Sequence, residues 1–311
     1  GNDGRVREVS VSMATSAKSF LVANSEGVWA EDRAFLSRLV VSALALDGTQ
    51  RQEGFAAAGG CVESGYYDLT RTPEMVGEEA AAGAVLLLSA REPEAGSYPV
   101  VVCNGWGGVM VHECFGHSME GDTIRKQSSI RAVQMGQKVA ADGVTIVDSG
   151  LIPFSRGSFR VDDEGTPAQR TVLVQDGVLV GYLWDRLNGA LTGNASTGNG
   201  RRASYRDYPL CRMTNTYIEP GKAAPDEISS SGAGCSARSS AAARSTRPTA
   251  TSRSRSPRRG RSRRASSRIR CATPRSRATA TTPCSRTTAW ATTCRSTAPP
   301  ARAARTDSGS R

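Results

Sequence analysis

The composition of this 311-residue chain changes abruptly after Ile228. Residues 229–311 contain no Leu, Val, Phe, Met, Tyr or Lys and are rich in Arg, Ser, Ala and Thr. Without large apolar side chains, a segment cannot offset the conformational entropy lost on folding, about 1–2 kcal/mol per residue. We therefore expect residues 229–311 to be disordered and a packed fold to form within residues 1–228.

The net charge of +11 divides at the same position. Residues 229–311 carry 19 Arg and a single acid, Asp307, for a net charge of +18. Residues 1–228 carry 21 basic and 28 acidic residues, for a net charge of −7. The folded part is therefore mildly acidic, and the basic charge that would attract nucleic acid belongs to the tail alone.

Membrane and disulfide patterns are both missing from the sequence. No apolar run approaches the roughly 20 residues that span a bilayer, and no signal peptide is recognisable. The eight Cys show no short paired spacing, which favours a reducing compartment over a disulfide framework. We expect a cytoplasmic protein without a membrane partner.

Residues 1–92 are predicted to form what remains of an N-terminal α+β domain. Thr72-Pro73 is a helix start, and an alanine-rich face continues to about Ala90. Residues 91–97 form a polar linker that suggests a domain boundary. Three strands are expected before the helix, the first of them half-buried, at Val6 to Met13, Ser19 to Ala23 and Leu36 to Ala45.

Residues 93–228 are predicted to form a second domain, so that the fold class is α+β, a mixed α/β arrangement in two domains. A short buried strand from Tyr98 to Cys103 is expected to turn at Asn104-Gly105 and enter a helix near Gly107. The remaining strands are expected at Val144 to Val147, Arg170 to Gln175 and Gly177 to Leu183, with a hairpin over Asp176-Gly177.

The chain contains two histidines, and both lie in the segment His112-Glu113-Cys114-Phe115-Gly116-His117. Neutral imidazoles are ligands of zinc, and a neighbouring carboxylate can act as the base that deprotonates a water. A spacing of five residues puts the two rings about 140° apart on an ideal α-helix, which has 3.6 residues per turn. A widened π-type turn, which Gly116 would help to form, brings them back to one side.

Two structural histidines on an amphipathic helix are the competing interpretation, because short motifs often occur by chance. The lack of any other histidine and the order strand, glycine-rich loop and helix favour the metal site. We therefore predict His112 and His117 as Zn²⁺ ligands and Glu113 as the catalytic base.

Longer motifs extend this pattern and closely resemble the signatures of the TldD/PmbA metallopeptidases. They are Gly105-Trp106-Gly107-Gly108-Val109-Met110-Val111-His112-Glu113-Cys114-Phe115-Gly116-His117-Ser118-Met119-Glu120-Gly121-Asp122, Arg201-Arg202-Ala203-Ser204-Tyr205 and Pro209-Leu210-Cys211-Arg212-Met213-Thr214-Asn215-Thr216-Tyr217. The resemblance runs through residues 1–228. It implies a two-domain zinc protease of unfolded or modified peptides, working as a homodimer or with a paralogous subunit.

Four further residues are candidates for supporting roles. Glu120 and Asp122 match the family signature, and we expect them to cap or orient the motif helix from outside the metal shell. Arg202 and Arg212 could bind a substrate carbonyl or carboxylate through their guanidinium groups. A surface or inter-strand ion pair explains these two arginines equally well.

The family's third zinc ligand is a cysteine in a C-terminal Cys-Gly-Lys segment, which this sequence lacks. Arg, Ser, Ala, Thr and Pro without Lys, Leu or Val are what GC-rich codons give when they are read out of phase. We therefore interpret the chain as truncated at its N-terminus and frameshifted after Ile228. Without the third ligand, the chain as written is expected to be inactive.

An offset reading supports this interpretation, taking the last base of each codon with the first two of the next. Three runs then permit segments like those of the family, in the right order. Ala241 to Pro248 permits Gly-Gly-Gly-Glu/Gln-Val-Asp-Pro-Ala, and Ile269 to Ala280 permits His-Pro-Val-Arg-Asp-Ala-Thr-Leu-x-Gly-Asn-Gly. Arg302 to Ser308 permits Cys-Gly-Lys-Asp-Gly-Gln, so the missing ligand's codon would straddle Arg302 and Ala303.

Two alternatives to this interpretation concern nucleic acid. The tail could be a genuine Arg/Ser-rich arm that binds phosphates, but such arms usually add Lys and several aromatics, and only Trp290 is aromatic here. The whole protein could be a non-enzymatic regulator, because this family often carries the name modulator of DNA gyrase. A pure binding module would not need the His-Glu-His set, so we do not expect a nucleic-acid partner.

Overall fold

The computed structural model describes most of the first 228 residues. The described residues are 3–90, 100–102, 104–105, 107–224 and 228, with three short strands further on. Five α-helices lie among them: α1 Gly65–Leu69, α2 Pro73–Leu88, α3 Gly108–Val111, α4 Gly121–Arg125 and α5 Arg186–Thr192. None of the helices in this part of the chain has both the length and the apolar character needed to cross a bilayer.

The first part of the chain is a three-stranded antiparallel sheet with one helix on its face. The strands are β1 (Val6–Ala23), β2 (Trp29–Asp47) and β3 (Gln50–Gly60), in that order across the sheet. Helix α2 covers β2 and β3, and their core includes Leu39, Val41, Val76 and Ala84. Gly54 lies where β3 meets α2, since a Cβ there would stand 1.9 Å from the Ala80 carbonyl oxygen.

Two strand predictions for this sheet were wrong. The segments expected at Val6 to Met13 and Ser19 to Ala23 are one continuous strand, β1, because β2 pairs with it from end to end. The first segment is also mostly exposed rather than half-buried, with Val11 60% accessible. Strand β2 extends beyond the predicted Leu36 to Ala45 at both ends, and β3 was not predicted.

Helix α2 begins as the sequence predicts. The Thr72 side chain accepts a hydrogen bond from the backbone N–H of Met75, and Pro73 occupies the first turn. The helix ends at Leu88, two residues before the predicted Ala90. Residues 91–99, which include the predicted linker and domain boundary, lie outside the described residues, so the boundary stays a prediction.

A second antiparallel sheet carries the candidate site on one side. It consists of β5 (Ile146–Ser149), β6 (Arg170–Gln175), β7 (Val178–Leu179) and β10 (Thr216–Ile218), in the order β10-β5-β6-β7. Asp176 and Gly177, with φ of +48° and +84°, form the predicted turn between β6 and β7. Strand β7 ends at Leu179 rather than at the predicted Leu183.

Strand β5 lies two residues later than the predicted Val144 to Val147. It includes Asp148, which is 2% exposed. Both carboxylate oxygens of Asp148 accept hydrogen bonds, from the backbone and side chain of Thr214 and from the side chains of Asn199 and Thr216. Because these hydrogen bonds satisfy its oxygens, the Asp148 side chain can be buried within strand β5.

Six short strands complete the described structure. Strand β4 (Val100–Val102) pairs with β11 (Cys235–Ala237), β8 (Gly200–Arg201) with β9 (Leu210–Cys211), and β12 (Arg268–Ile269) with β13 (Ala278–Thr279). The prediction of a buried β4 was wrong, since Val100 is 38% exposed. Three of these strands lie in 229–311, where we expected none; the rest of that segment lies outside the described residues, and its disorder stays a prediction.

The far end of the β1–β2 hairpin packs against the part of the chain that carries the site. Lys18 forms an ion pair with Asp163, and Glu26 with Arg186. The Asp32 carboxylate, 7% exposed, accepts a hydrogen bond of 2.7 Å from the backbone N–H of Arg160. These polar contacts join the first sheet to the loops around the second sheet.

Candidate metal centre

The candidate site is built on an interrupted helix. After the turn at Gly105 (φ +80°), helix α3 runs into a π turn at His112–Gly116, followed by a 3-10 turn at His117–Met119. The backbone N–H of His117 donates to the carbonyl oxygen of His112, which is the five-residue bond that defines a π turn. The predicted widened turn is confirmed, and its bond joins the two histidines.

Two apolar side chains anchor the π turn in the core of the second sheet. Phe115 is 5% exposed and Met119 is fully buried, and both belong to a cluster that includes Ile146 and Leu173. The guanidinium of Arg131 lies over the Phe115 ring, 4.9 Å from its centroid. The buried side of the turn is therefore apolar, whereas Glu113 and His117 are exposed on the other side.

Gly116 is needed for a different reason from the predicted one. Its φ of −58° and ψ of −63° are ordinary helical values, so the turn does not require the conformational freedom of glycine. A Cβ at this position would instead lie 1.8 Å from the sulfur of Met213, a buried residue of the same core. Gly116 therefore lets the π turn approach the segment between β9 and β10.

We expect Gly116→Ala to lower the free energy of unfolding by about 1–3 kcal/mol, because it overpacks this contact. Met213→Ala makes room for the added methyl, so the double variant should lose less stability than the two single variants combined. Denaturant titration measures all three. Gly77→Ala in α2 is the control, since nothing lies within 4 Å of a Cβ there. If the double variant loses as much stability as the two single variants combined, the contact between Gly116 and Met213 does not restrict the position of the π turn.

The π turn brings the three predicted site residues together. One ligand atom from each of His112, Glu113 and His117 lies within 4.8 Å of the others. The two imidazole rings are 4.7 Å apart and nearly perpendicular, at 81°. Within the described residues, no other His or Cys joins this group.

The electrostatics of His112 favour its neutral form. Partial burial lowers the pKa of His112, and the neighbouring His117 lowers it further. A neutral imidazole has a lone pair free for a metal ion, whereas a protonated one does not. The chemistry of His112 therefore suits a cation that prefers nitrogen ligands.

Glu120 lies behind His117 and is nearly inaccessible, with its side chain 4% exposed. One carboxylate oxygen is 3.2 Å from Nδ1 of His117, and the other is 3.2 Å from a guanidinium nitrogen of Arg212. Burial raises the pKa of Glu120, while Arg212 and His117 act in the opposite direction. Arg212, one of the two candidate substrate-binding arginines, thus forms an ion pair next to the site.

Arg202, the other candidate, is tied to Asp163. Its backbone N–H donates to the Asp163 carboxylate at 2.9 Å, and its guanidinium donates to the Asp163 carbonyl oxygen at 3.3 Å. Asp122 forms an ion pair with Lys126 at 3.7 Å. Sequence reasoning did not identify Met213 or the Glu120–Arg212 pair, since neither contact leaves a signal in residue spacing.

Two family models match this chain, and together they cover most of it. The PmbA/TldA metallopeptidase central domain matches residues 1–88, and the C-terminal domain of the same family matches residues 95–235. The second match includes the whole candidate site. It ends close to the position where the composition changes.

Curated relatives agree with these models. A metalloprotease TldD homologue from Buchnera aphidicola (subsp. Acyrthosiphon pisum) is 40% identical over 235 residues, which are 74% of this chain and 49% of the relative. A TldD homologue from Haemophilus influenzae is 40% identical over 233 residues, 74% of this chain and 48% of its own length. The chain thus spans about half the length of the curated relatives that it matches.

Solved structures show the same fold. A Thermotoga maritima protein described as a modulator of a DNA gyrase is 25% identical, with a TM-score of 0.64 over 73% of this chain and 50% of its own. TldE from Thermococcus kodakarensis is 20% identical, with a TM-score of 0.61 over 70% of this chain and 48% of its own. By its sequence and its fold, the chain belongs to the PmbA/TldD family of metallopeptidases.

Proposed function

We propose that this chain carries the catalytic site of a zinc-dependent peptidase, with His112 and His117 as ligands and Glu113 as the base. The observation that carries the proposal is the group of three ligand atoms within 4.8 Å on one π turn. The names of the relatives support a metalloprotease. Zinc is the metal that best fits a pair of imidazole ligands together with a cysteine thiolate as the third ligand.

The zinc ion would supply a Lewis acid that polarises the substrate carbonyl and makes water easier to deprotonate. Residues of the chain would hold the ion and transfer the protons. His112 and His117 hold the ion, and Glu113, exposed on the same turn, takes the proton of the attacking water and passes it to the leaving amine.

We infer a third ligand from the segment beyond Ile228. Catalytic zinc usually keeps three protein ligands and one open position, and the two histidines alone are an incomplete set. The cysteine of the Cys-Gly-Lys segment, restored by the offset reading at Arg302 and Ala303, would complete it. The chain as written is therefore proposed to be inactive, or nearly so.

Substrate and partner follow from the family. We propose unfolded or modified peptides as substrates in the cytoplasm, and a homodimer or a paralogous subunit as the assembly. The structural match to TldE favours the paralogous subunit. The weaker candidate is a regulator of DNA gyrase, for which the name of the Thermotoga protein is the supporting observation.

Zinc titration of the chain as written tests the ligand assignment. We expect His112→Ala and His117→Ala each to weaken the binding of one Zn²⁺ by roughly tenfold or more, since each removes one of two nitrogen ligands. Isothermal titration calorimetry measures the affinity. Cys114→Ser changes the same turn outside the ligand group and is the control. Equal zinc affinity in the unmodified chain and its three variants would contradict the proposal.

A further inference from the structure

We propose that Glu120 is a positioning residue that accepts a hydrogen bond from Nδ1–H of His117 and thereby makes Nε2 the metal-binding nitrogen. The proposal rests on the proposed function only for the identity of the ion. The hydrogen bond and the position of the proton are properties of the metal-free chain.

The first observation is a buried carboxylate oxygen that lacks a hydrogen-bond partner and lies close to a nitrogen of His117. Glu120 Oε1 is buried, has no hydrogen-bond partner within the described residues, and lies 3.2 Å from His117 Nδ1. A buried acceptor left unsatisfied costs about 1–3 kcal/mol. A proton on His117 Nδ1 that points at this oxygen removes that cost, whereas a proton on Nε2 alone would place two lone pairs against each other.

The second observation is that Arg212 holds the other carboxylate oxygen of Glu120. Glu120 Oε2 is 3.2 Å from Arg212 Nη1, and the same nitrogen donates to the Cys211 carbonyl oxygen at 2.6 Å. Arg212 is thereby tied to strand β9 and holds the carboxylate from the side opposite His117. This arrangement uses Arg212 to position Glu120.

The backbone around Glu120 is also held firmly. Glu120 forms a parallel β-bridge with Leu183, and the Leu183 N–H donates to the Met119 carbonyl oxygen at 3.0 Å. A Cβ on Gly121 would lie 2.4 Å from the Trp184 ring, so the chain passes closely beneath that side chain. The carboxylate therefore projects from a fixed point of the core, as precise orientation of a ligand requires.

The chemistry of imidazole explains what this contact achieves. A neutral histidine carries one N–H, and the hydrogen bond made by one nitrogen decides which nitrogen keeps the lone pair. A carboxylate behind a metal-binding histidine fixes its tautomer and ring orientation, and its loss typically lowers metal affinity about 10–100-fold. Glu120 fits that role for His117, while Glu113 remains on the exposed side of the turn.

Nitrogen-15 NMR of the metal-free chain tests the tautomer. The chain has two histidines, so His112→Ala assigns both imidazoles. At about pH 8, where an unperturbed imidazole is neutral, we expect His117 to carry its proton on Nδ1. Glu120→Ala should give a mixture of the two tautomers. Glu164→Ala, which removes a half-buried carboxylate from a loop of the same sheet, should leave the His117 signal unchanged. An Nε2–H tautomer in the unmodified chain overturns the proposal.

Zinc affinity is the second measurement, and Glu120→Gln keeps the shape of the side chain if Glu120→Ala fails to fold. We expect Glu120→Gln to weaken Zn²⁺ binding about 10–100-fold and Glu164→Gln to leave it unchanged. A folded Glu120→Gln chain with unaltered affinity overturns the positioning role. If His117 carries its proton on Nδ1 but the chain binds no Zn²⁺, the hydrogen bond to Glu120 is supported and the proposed metal function is contradicted. Failure of the positioning role and failure of the proposed function can therefore be distinguished.

Discussion

Restoring the reading frame near the codon of Ile228 is expected to give a protein that holds about one Zn²⁺ per chain and hydrolyses peptides. The physical reason is the third ligand, because catalytic zinc sites usually have three protein ligands. A thiolate also adds a negative charge that two neutral histidines lack. The chain as written should show little or no cleavage, whatever its affinity for zinc.

The frame-restored protein should be assayed at the full length of its relatives and with a paralogous subunit supplied. Zinc content by atomic emission and cleavage of an unfolded peptide are the two measurements. Changing the restored cysteine to Ser is the matched control, since it repairs the frame without the thiolate. If the frame-restored protein holds no more zinc than this control, the restored cysteine is not the third zinc ligand.

Glu113→Gln in the frame-restored protein is expected to lower kcat by about 10²–10⁴-fold, the usual contribution of a positioned general base. Its zinc content should be unchanged, because the histidine ligands remain in place. The amide keeps the size of the side chain but cannot accept the proton of the attacking water. If the variant loses activity but keeps its zinc, Glu113 acts as a base and not as a metal ligand.

Glu78→Gln is the control for this variant. Glu78 is also an exposed helical glutamate, but it lies on α2, which packs on the first sheet. We expect it to retain both zinc and activity. Cleavage by Glu113→Gln at the normal rate would rule out Glu113 as the base, and a parallel loss of zinc would make it a ligand instead.

Several features of the fold and site could be predicted because they depend on neighbouring residues. The start of α2 needs a Thr side chain three residues before a free N–H, followed by Pro, and both are visible in the sequence. The β6–β7 turn needs two residues with positive φ, which Asp176-Gly177 provides. The π turn followed from helix geometry, since only a widened turn brings histidines five apart to one side.

The strands of the first sheet depended on pairing partners that are distant in sequence. Strand β3 is rich in Gly and Ala, residues that do not favour strands, and it exists because β2 pairs with it and α2 lies close above. Strand β1 continues through Ala14 to Lys18 because β2 extends beside it. No local pattern marks either feature.

The sequence alone predicted that His112, Glu113 and His117 act together, because metal chemistry restricts both the residue types and their spacing, and the structure places the three side chains near one another. It also predicts that residues 229–311 form no core, because burial needs apolar side chains and the composition of this segment contains few of them. The packing of Gly116 and the ion pair of Glu120 with Arg212 came only with the tertiary structure. Each depends on contact with a residue about 90 or more positions away, Met213 for Gly116 and the Glu120–Arg212 pair for the others, and only folding brings such residues together.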